Sequence, residues 1–437
     1  MTGVLCIDFG TSSIRAVWRM PSGKLKPLDI GRVAHSRLDD ASIRSEIHID
    51  VKGEVKYGES ALIARKESQT SLFFEPSPKL WLRDPQSLRQ PAAPKLALTR
   101  ENLLAGLLAN ALSACIKAMD IGEATLQQID VRIAHPVWTS DIAHEANAAI
   151  RRICAQAQRM VFDREWAAVT VSQLEAHTRN PGTAGHSLVD VVEPVAAAVE
   201  LLPSAENVRR ICAVVDVGAG TTDIGLFQAV APDAAATVRG KLYCLGEPVS
   251  IFKAGNVVDD IVLDVLQSRA KRSDTTAVQD VKARIRQVKE TLFQDGFVQE
   301  LGVKVLLEEI QSHPEARLMA RNIRAEFEAA VERSNKKIVQ FMDARTHSVR
   351  EMELVMAGGG ASIDFIRKAL KKPLTLRGDH PDKHLPVVIT ESQSDSELHL
   401  FGAGRERMAV ALGGARVEYD SLIHQMAPVR RISRGRL

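Results

Sequence analysis

The alternation of apolar and polar positions predicts two β-hairpins of the same design, far apart in the chain. The first spans residues 4–18 (VLCIDFGTSSIRAVW) and the second spans residues 213–227 (AVVDVGAGTTDIGLF). Each begins as an apolar run ending near an aspartate, passes through a glycine-rich turn with hydroxyl side chains, and resumes as a second strand-like run. The two aspartates lie 208 positions apart, so each hairpin opens a segment long enough to form a domain.

The turns of both hairpins suit the recognition of phosphate oxygens. Glycine permits positive φ angles and lets backbone N–H groups approach an anion, while threonine and serine add short hydrogen-bond donors. Two such turns facing each other would hold a polyphosphate between them. The predicted phosphate-binding residues are Gly10, Thr11, Ser12, Ser13, Gly218, Ala219, Gly220, Thr221 and Thr222. Hydrogen bonding within the turn itself is the alternative role for the hydroxyl groups.

Asp8 and Asp216 end the first strands of the two hairpins and are the candidate magnesium ligands. Mg²⁺ prefers octahedral oxygen coordination and keeps several of its waters, so carboxylates that hold it through water suit the task. Capping of the turn is the alternative role for each aspartate. Asp223 either belongs to the outer shell of the metal site or begins the next strand.

The rest of the chain alternates between predicted helices and strands, which is typical of the α/β class. Apolar residues at helical spacing predict helices over residues 101–119, 141–158, 259–270, 276–293, 315–344 and 394–412. Shorter apolar runs predict strands over residues 130–134 and 353–356, and a proline-rich stretch over residues 76–94 interrupts regular structure. The order of hairpin, insertion and helix therefore occurs twice.

Composition and charge exclude several classes of protein. The 437 residues are 45% hydrophobic and 25% charged, which is ordinary for a soluble protein. With 4% aromatic residues and a net charge of +3, no nucleic-acid partner is expected. The five scattered cysteines include no C-x-x-C pair, which favours buried thiols in the cytoplasm over a zinc or redox site. We expect neither a signal peptide nor a membrane span.

Further motifs carry a resemblance to a known family. They occur at residues 78–82 (PKLWL), 193–198 (EPVAAA), 324–328 (RAEFE) and 354–360 (LVMAGGG). With both hairpins in the right order, the chain resembles the actin-like ATPase superfamily. Within it, the chain is similar to the nucleotide-binding domain of DnaK-type (seventy-kilodalton heat-shock) chaperones. The resemblance implies a two-lobed α/β fold of duplicated ribonuclease H-like domains with inserted subdomains.

The resemblance also implies domain boundaries. The first lobe would cover residues 1–205, with an inserted subdomain at about 33–130, and would be completed by the helix at 394–412. The second lobe would cover residues 206–393, with an inserted subdomain at about 256–345. We expect no counterpart of the chaperones' substrate-binding domain, because the sequence ends soon after the last predicted helix.

Residues 413–437 form a basic tail beyond the second lobe. A solvated end is the interpretation we favour for this segment, and a dock for an acidic partner is the alternative.

The family's catalytic residues carry over onto four positions. Lys79 matches the lysine that reaches the γ-phosphate, Glu193 begins the first connecting helix, and Asp216 matches the aspartate that orients the attacking water. Thr221 in the second turn is the fourth expected catalytic residue. The resemblance implies ATP or ADP and Mg²⁺ as cofactors. For Lys79 the alternative is an ordinary solvent-exposed lysine.

The nucleoside is expected at two other segments. Lys289 and Glu290 lie where the family's adenosine-contacting helix should be, and a surface ion pair is their alternative role. The family's adenosine motif is matched by Gly358, Gly359 and Gly360. A tight strand-to-helix turn would require glycine there too. Two departures are that Ala219 interrupts the chaperones' three consecutive glycines and that Ala361 follows the motif.

The sequence therefore predicts an ATP-binding, slowly hydrolysing switch, a stand-alone chaperone-like ATPase in which lobe closure controls a protein partner or client. A co-chaperone or an exchange factor would be a further partner of such a switch. The alternative is an ATP-dependent bacterial actin-like filament, which would self-assemble. A small-molecule kinase of the same superfamily would need a general-base aspartate and a polar sugar pocket, and we find no convincing motif for either.

Overall fold

A computed structural model describes the chain over residues 3–35, 41–67, 70–121, 129–138, 141–162, 170–179, 188–199, 209–230, 241–252, 254–270, 275–342, 350–377, 383–390 and 405–416. Within these ranges the protein is of the mixed α/β class, as predicted. Two large sheets dominate it, and smaller sheets and helices pack around them.

The strands and helices follow one another along the whole described chain. The strands are β1 (Val4–Phe9), β2 (Ser13–Arg19), β3 (Leu25–Pro27), β4 (Ser42–Arg44), β5 (Ile47–Asp50), β6 (Val55–Tyr57), β7 (Ser71–Glu75), β8 (Asp130–His135), β9 (Leu188–Val192), β10 (Arg209–Val217), β11 (Thr222–Val230), β12 (Lys241–Cys244), β13 (Val249–Ile251), β14 (Phe297–Glu300), β15 (Val303–Leu306), β16 (Met352–Ala357), β17 (Leu374–Leu376), β18 (Lys383–Leu385) and β19 (Val387–Ile389). The α-helices are α1 (Ile30–Val33), α2 (Glu59–Glu67), α3 (Arg100–Met119), α4 (Ala143–Phe162), α5 (Val171–Arg179), α6 (Glu193–Val199), α7 (Gly255–Arg269), α8 (Thr275–Ala283), α9 (Ile285–Asp295), α10 (Leu307–Ser312), α11 (Pro314–Met342), α12 (Asp364–Leu370) and α13 (Arg405–Ala415). Two 3-10 helices span Pro78–Arg83 and Pro85–Arg89.

The two large sheets have the same strand order. The first is β3-β2-β1-β8-β9, with β4 pairing with β2, and the second is β12-β11-β10-β16-β19, with β13 pairing with β11. In both, the hairpin strands are antiparallel, and the next two strands along the sheet run parallel to the first hairpin strand. The predicted hairpins are therefore β1-β2 and β10-β11, and they occupy equivalent places in the two sheets.

One apolar core joins the two sheets through helices α6 and α13. The helices meet where Gly413 lies so close to Ala196 that an added Cβ would collide with its backbone. A Cβ added to Gly414 would collide with Sγ of Cys6 in β1, and Cys212 of β10 belongs to the same cluster. Because these contacts are close-packed, they fix the positions of the two hairpins relative to each other.

Each large sheet belongs to one half of the chain, which we call the first and the second half. In each half, further elements are inserted between two strands of the large sheet. In the first half, the small sheet β6-β5-β7, helices α2 and α3 and both 3-10 helices lie between β4 and β8. In the second half, helices α7 to α11 and the β14-β15 hairpin lie between β13 and β16. These elements lie in the stretches that the sequence analysis assigned to subdomains.

Two sequence predictions need correction, and two others fall partly outside the described residues. The helix predicted over residues 276–293 is two helices, α8 and α9, separated at Arg284, whose φ is −115° and whose guanidinium is bound by Asp280 and Glu300. The proline-rich stretch is regular in part, because it forms the two 3-10 helices. Residues 394–404 of the last predicted helix and 417–437 of the tail lie outside the described residues.

Helix α3 is long and apolar enough to cross a membrane, by length and composition alone. The expectation that the chain contains no such segment is therefore corrected. However, 67% of its apolar window is buried inside the protein, where the helix packs against α4. The buried core helix of a globular protein passes the same test, so α3 is weak evidence for a membrane.

Candidate functional site

A cavity of about 490 Å³ lies between the two hairpins and contains most of the predicted site. All the predicted catalytic, metal-binding and nucleoside-binding residues line it: Asp8, Lys79, Glu193, Asp216, Thr221, Lys289, Glu290, Gly358, Gly359 and Gly360. Of the predicted phosphate-binding residues, these line it: Gly10, Thr11, Ser12, Ser13, Gly218, Ala219 and Thr221. Thr222 does not, since it is fully buried in β11, and Gly220 instead faces the first 3-10 helix.

Lys79 and Glu193 form a buried ion pair in this cavity. The Nζ of Lys79 donates to Oε1 of Glu193 over 2.5 Å, and each residue is 6% exposed. Lys79 is the second residue of the first 3-10 helix, and Glu193 is the first residue of α6, with Pro194 in the first turn where its missing N–H is harmless. The alternative that Lys79 is a solvent-exposed lysine is therefore wrong.

The carboxylates of the cavity are held in an environment that disfavours their charged forms. Burial raises the pKa of Asp8 to about 6, the charge of Glu193 adds to the rise, and Lys79 opposes it. Burial also raises the pKa of Asp223 to about 7 and holds that of Asp216 well above its usual range. These groups share the charge of Lys79, so a further cation in the cavity would stabilise their ionised forms.

The donor set fits Mg²⁺ held through water. Across the part of the chain that the structure describes, no three His, Cys, Asp or Glu side chains group closely enough to hold a metal directly. Mg²⁺ needs no such cage, because it keeps several waters and binds one or two carboxylates together with substrate phosphates. Asp8 and Asp216 supply two carboxylates, and both line the cavity.

Asp223 is the second residue of β11 and also lines the cavity. Its carboxylate accepts side-chain hydrogen bonds from Thr221 and Ser250, which lower its pKa in opposition to burial. Both roles proposed for it from the sequence are thus compatible with its position.

The two turns are anchored by neighbouring elements in different ways. In the first, Oγ of Ser45 donates to the carbonyl of Gly10 over 2.7 Å, and its backbone N–H donates to Ser12. In the second, the backbone N–H groups at the start of α7 donate to the carbonyls of Gly218 and Ala219 over 3.0 and 2.7 Å. Since these carbonyls are already bound, each turn has a fixed conformation.

Gly358 is required by both its conformation and its surroundings. Its φ is +80°, in the left-handed region, and an added Cβ would collide with Oδ1 of Asp216 and the backbone of Val217. The glycine motif after β16 therefore packs directly against the end of β10, beside the second aspartate.

Lys289 and Glu290 lie on helix α9 at another wall of the cavity. The Nζ of Lys289 lies 2.7 Å from Oδ1 of Asp259 and 3.1 Å from the carbonyl of Gly255. This lysine is thus tied to helix α7, and it is not the surface ion pair with Glu290 that we considered as an alternative.

Several cavity residues were not predicted as site residues, and Arg15, Arg286 and Phe293 are among them. Arg15 lies opposite Asp8 in the β1-β2 register and is 7% exposed. Arg286 of α9 donates from Nη2 to Oγ of Ser77, which lies in the other half of the chain. Phe293 lies two turns further along α9. An arginine inside an apolar strand was a usable signal for Arg15, but nothing local marked the other two.

The comparisons with known proteins do not identify the chain. No family model matches it. A search of the curated proteins finds no match either.

Proposed function

We propose that the protein is an ATP-binding nucleotide switch of actin-like, two-lobed architecture that hydrolyses ATP slowly with Mg²⁺. The observation that carries the proposal is the cavity between the hairpins. Equivalent turns from equivalent sheets face one space, which also contains a buried lysine and several carboxylates. A triphosphate accompanied by a divalent cation suits that arrangement of charge.

The strand orders support the proposed architecture. Each large sheet has antiparallel hairpin strands followed by parallel strands, in the same order, which is expected of duplicated ribonuclease H-like domains. The resemblance to DnaK-type chaperones rests on motifs that come from different parts of the chain. Three of the four further motifs meet at the cavity, at Lys79, Glu193 and Gly358.

The residues of the cavity have distinct chemical roles in the proposed reaction. Asp8 and Asp216 would hold Mg²⁺ through water, and bound Mg²⁺ would neutralise charge on the phosphate oxygens. The hydroxyls of Thr11 and Thr221 would donate to phosphate oxygens. Lys79, already oriented by Glu193, would stabilise charge that develops on the γ-phosphate during transfer. Asp216 would also orient the attacking water by accepting a hydrogen bond from it.

The arrangement favours a switch over a fast enzyme. One turn belongs to each half, so contacts with a γ-phosphate would hold the halves together and hydrolysis would release them. A protein partner that binds only one of these states would then read the nucleotide. We propose such a partner or client as the target, with the cytoplasm as the compartment.

Phosphate release by the purified full chain, with ATP and Mg²⁺, tests the enzymatic part. We expect slow turnover that disappears when magnesium is chelated. Fast turnover without any partner would contradict a switch, and no turnover under any condition would contradict hydrolysis. Pelleting of the same samples and negative-stain microscopy separate the switch from the filament, because only a filament sediments in an ATP-dependent way.

A further inference from the structure

The 3-10 helix Pro78–Arg83 connects the candidate site to a contact between the two halves. We call it the lysine-bearing helix, because Lys79 at one end lies in the cavity. At the other end, Nη2 of Arg83 donates to the carbonyl of Gly220 over 2.6 Å. Gly220 belongs to the second turn, so a helix of the first half is bound directly to the phosphate turn of the other half.

The packing around Gly220 shows how tightly the two elements fit. A Cβ added there would lie 2.7 Å from Cδ2 of Leu80 and 3.0 Å from Nη2 of Arg83. It would also lie 3.4 Å from Cγ2 of Thr11, which is in the first turn. Gly220 is therefore the point where the first turn, the second turn and the lysine-bearing helix all meet.

A second contact holds the same guanidinium. Arg83 lies over the ring of Phe252, with Cζ 4.3 Å from the ring centroid. Phe252 follows β13, which pairs with β11, so both contacts of Arg83 come from the second half. A planar guanidinium donates in a fixed direction and stacks on aromatic rings, whereas a lysine ammonium does neither with the same precision.

From these contacts we infer that Arg83 is a positioning residue that sets Lys79 against the second turn. Arg83 does not line the cavity, so it would act through the helix that it anchors. The inference rests on the proposed function, because the register between Lys79 and Thr221 matters only if a γ-phosphate lies between them. Small displacements of a charge-stabilising group reduce the rate of transfer far more than they weaken ground-state binding.

The test compares Arg83→Met with Arg89→Met in the full chain. Arg89 ends the neighbouring 3-10 helix and is exposed, so it controls for the loss of an arginine. We expect Arg83→Met to lose about tenfold to a hundredfold in kcat, the size expected of a misplaced group. KM for ATP and the Kd for ADP should stay within about threefold of wild type, since uniform binding is kept. Arg89→Met should match wild type throughout.

Two further variants sharpen the test. Arg83→Lys keeps the charge but loses the planar fork, so it should recover only part of kcat. Gly220→Ala disturbs the same contact from the second half and should lower kcat similarly. The double variant of Arg83→Met with Gly220→Ala should lose little more than either single variant, because both break one contact.

Wild-type kcat in a folded Arg83→Met protein would overturn the role of Arg83 and leave nucleotide binding standing. Weakened ADP binding with unchanged kcat would overturn it as well, because that result marks a general structural effect. If Arg83→Met does not fold, wild-type rates in both Arg83→Lys and Gly220→Ala would overturn it. If the wild-type chain neither binds nor hydrolyses ATP, the proposed function itself is wrong, and the role of Arg83 with it.

Discussion

The two hairpins share a backbone design but differ in the charge that faces each aspartate. In β1-β2, Asp8 is paired in register with Arg15. In β10-β11, Asp216 is paired in register with Asp223. The first turn therefore brings its own cation, whereas the second places two carboxylates side by side.

The difference is visible in the acidity of the two aspartates. Burial raises the pKa of both aspartates and the charge of Glu193 adds to both rises, but Arg15 lowers the pKa of Asp8 whereas Asp223 raises that of Asp216. The pKa of Asp8 is raised to about 6, and that of Asp216 is held well above its usual range. The two sheets thus share a strand order but place different charges beside their aspartates.

The largest effect is expected from replacing the aspartates one at a time. Asp216→Asn should still bind ATP but should lose about a hundredfold or more in turnover, because it removes the proton acceptor. Asp8→Asn should lose less turnover and should instead need more Mg²⁺ for half-maximal rate. Steady-state phosphate release over a magnesium titration measures both. Equal losses in the two variants would contradict the asymmetry, and normal turnover in Asp216→Asn would refute its role.

The two cavity lysines offer the next comparison. Lys79→Met should lower kcat by about tenfold or more with little change in ATP affinity, because its charge acts mainly in the transition state. Lys289→Met should weaken affinity more than kcat, since Lys289 is bound to Asp259 on the wall formed by α7 and α9. Kinetics and calorimetry on both variants, with thermal melts to check folding, measure the split. Weakened ATP affinity in Lys79→Met together with a lowered kcat in Lys289→Met would contradict these roles.

Nucleotide release should depend on a contact between the inserted elements. Arg286 in the second half donates to Ser77 in the first. Arg286→Gln should speed release of a fluorescent ADP analogue by about two- to tenfold, the usual net worth of one hydrogen bond. Arg284→Gln is the matched control, because Arg284 binds Asp280 and Glu300 within the second half. Faster release in the control alone would contradict a contact that spans the halves.

The smallest expected effect is on stability against pH. The folded-state pKa values of Asp8 and Asp223, about 6 and about 7, lie above the ordinary value of 3.8. The folded protein therefore binds these protons more tightly, and that stabilisation is lost as pH rises through 6 and 7. Unfolding of the nucleotide-free chain should be easier at pH 8 than at pH 5 by roughly 1 kcal/mol or more. Asp223→Asn should flatten the slope, and a slope of opposite sign would contradict these pKa directions.

The features that could be predicted from the sequence are those that depend on residues close together in the chain. The hairpins and the helix over residues 101–119 depend on neighbours in the chain, so apolar spacing located them. The break at Arg284 was missed because two carboxylates, one of them in the β14-β15 hairpin, bind its side chain. Helical spacing carries no information about such a contact.

The candidate site was harder to predict, because it depends on contacts between residues that are far apart in the sequence. Lys79 and Glu193 lie 114 positions apart, and only the resemblance to a family placed both in one site. Nothing in the sequence marked Arg83 or Arg286, because their partners Gly220 and Ser77 belong to the opposite half. Contacts between the two halves arise from the packing of the two sheets. The spacing of apolar residues within one segment gives no information about them.

Calorimetric titration of the folded full chain with ATP tests the central claim most directly, in buffers with Mg²⁺ and with a chelator in its place. Our account predicts one site per chain, weakened when magnesium is removed and weakened again by Asp8→Asn. Absence of any heat from ATP with Mg²⁺, in protein shown to be folded by circular dichroism, would contradict it.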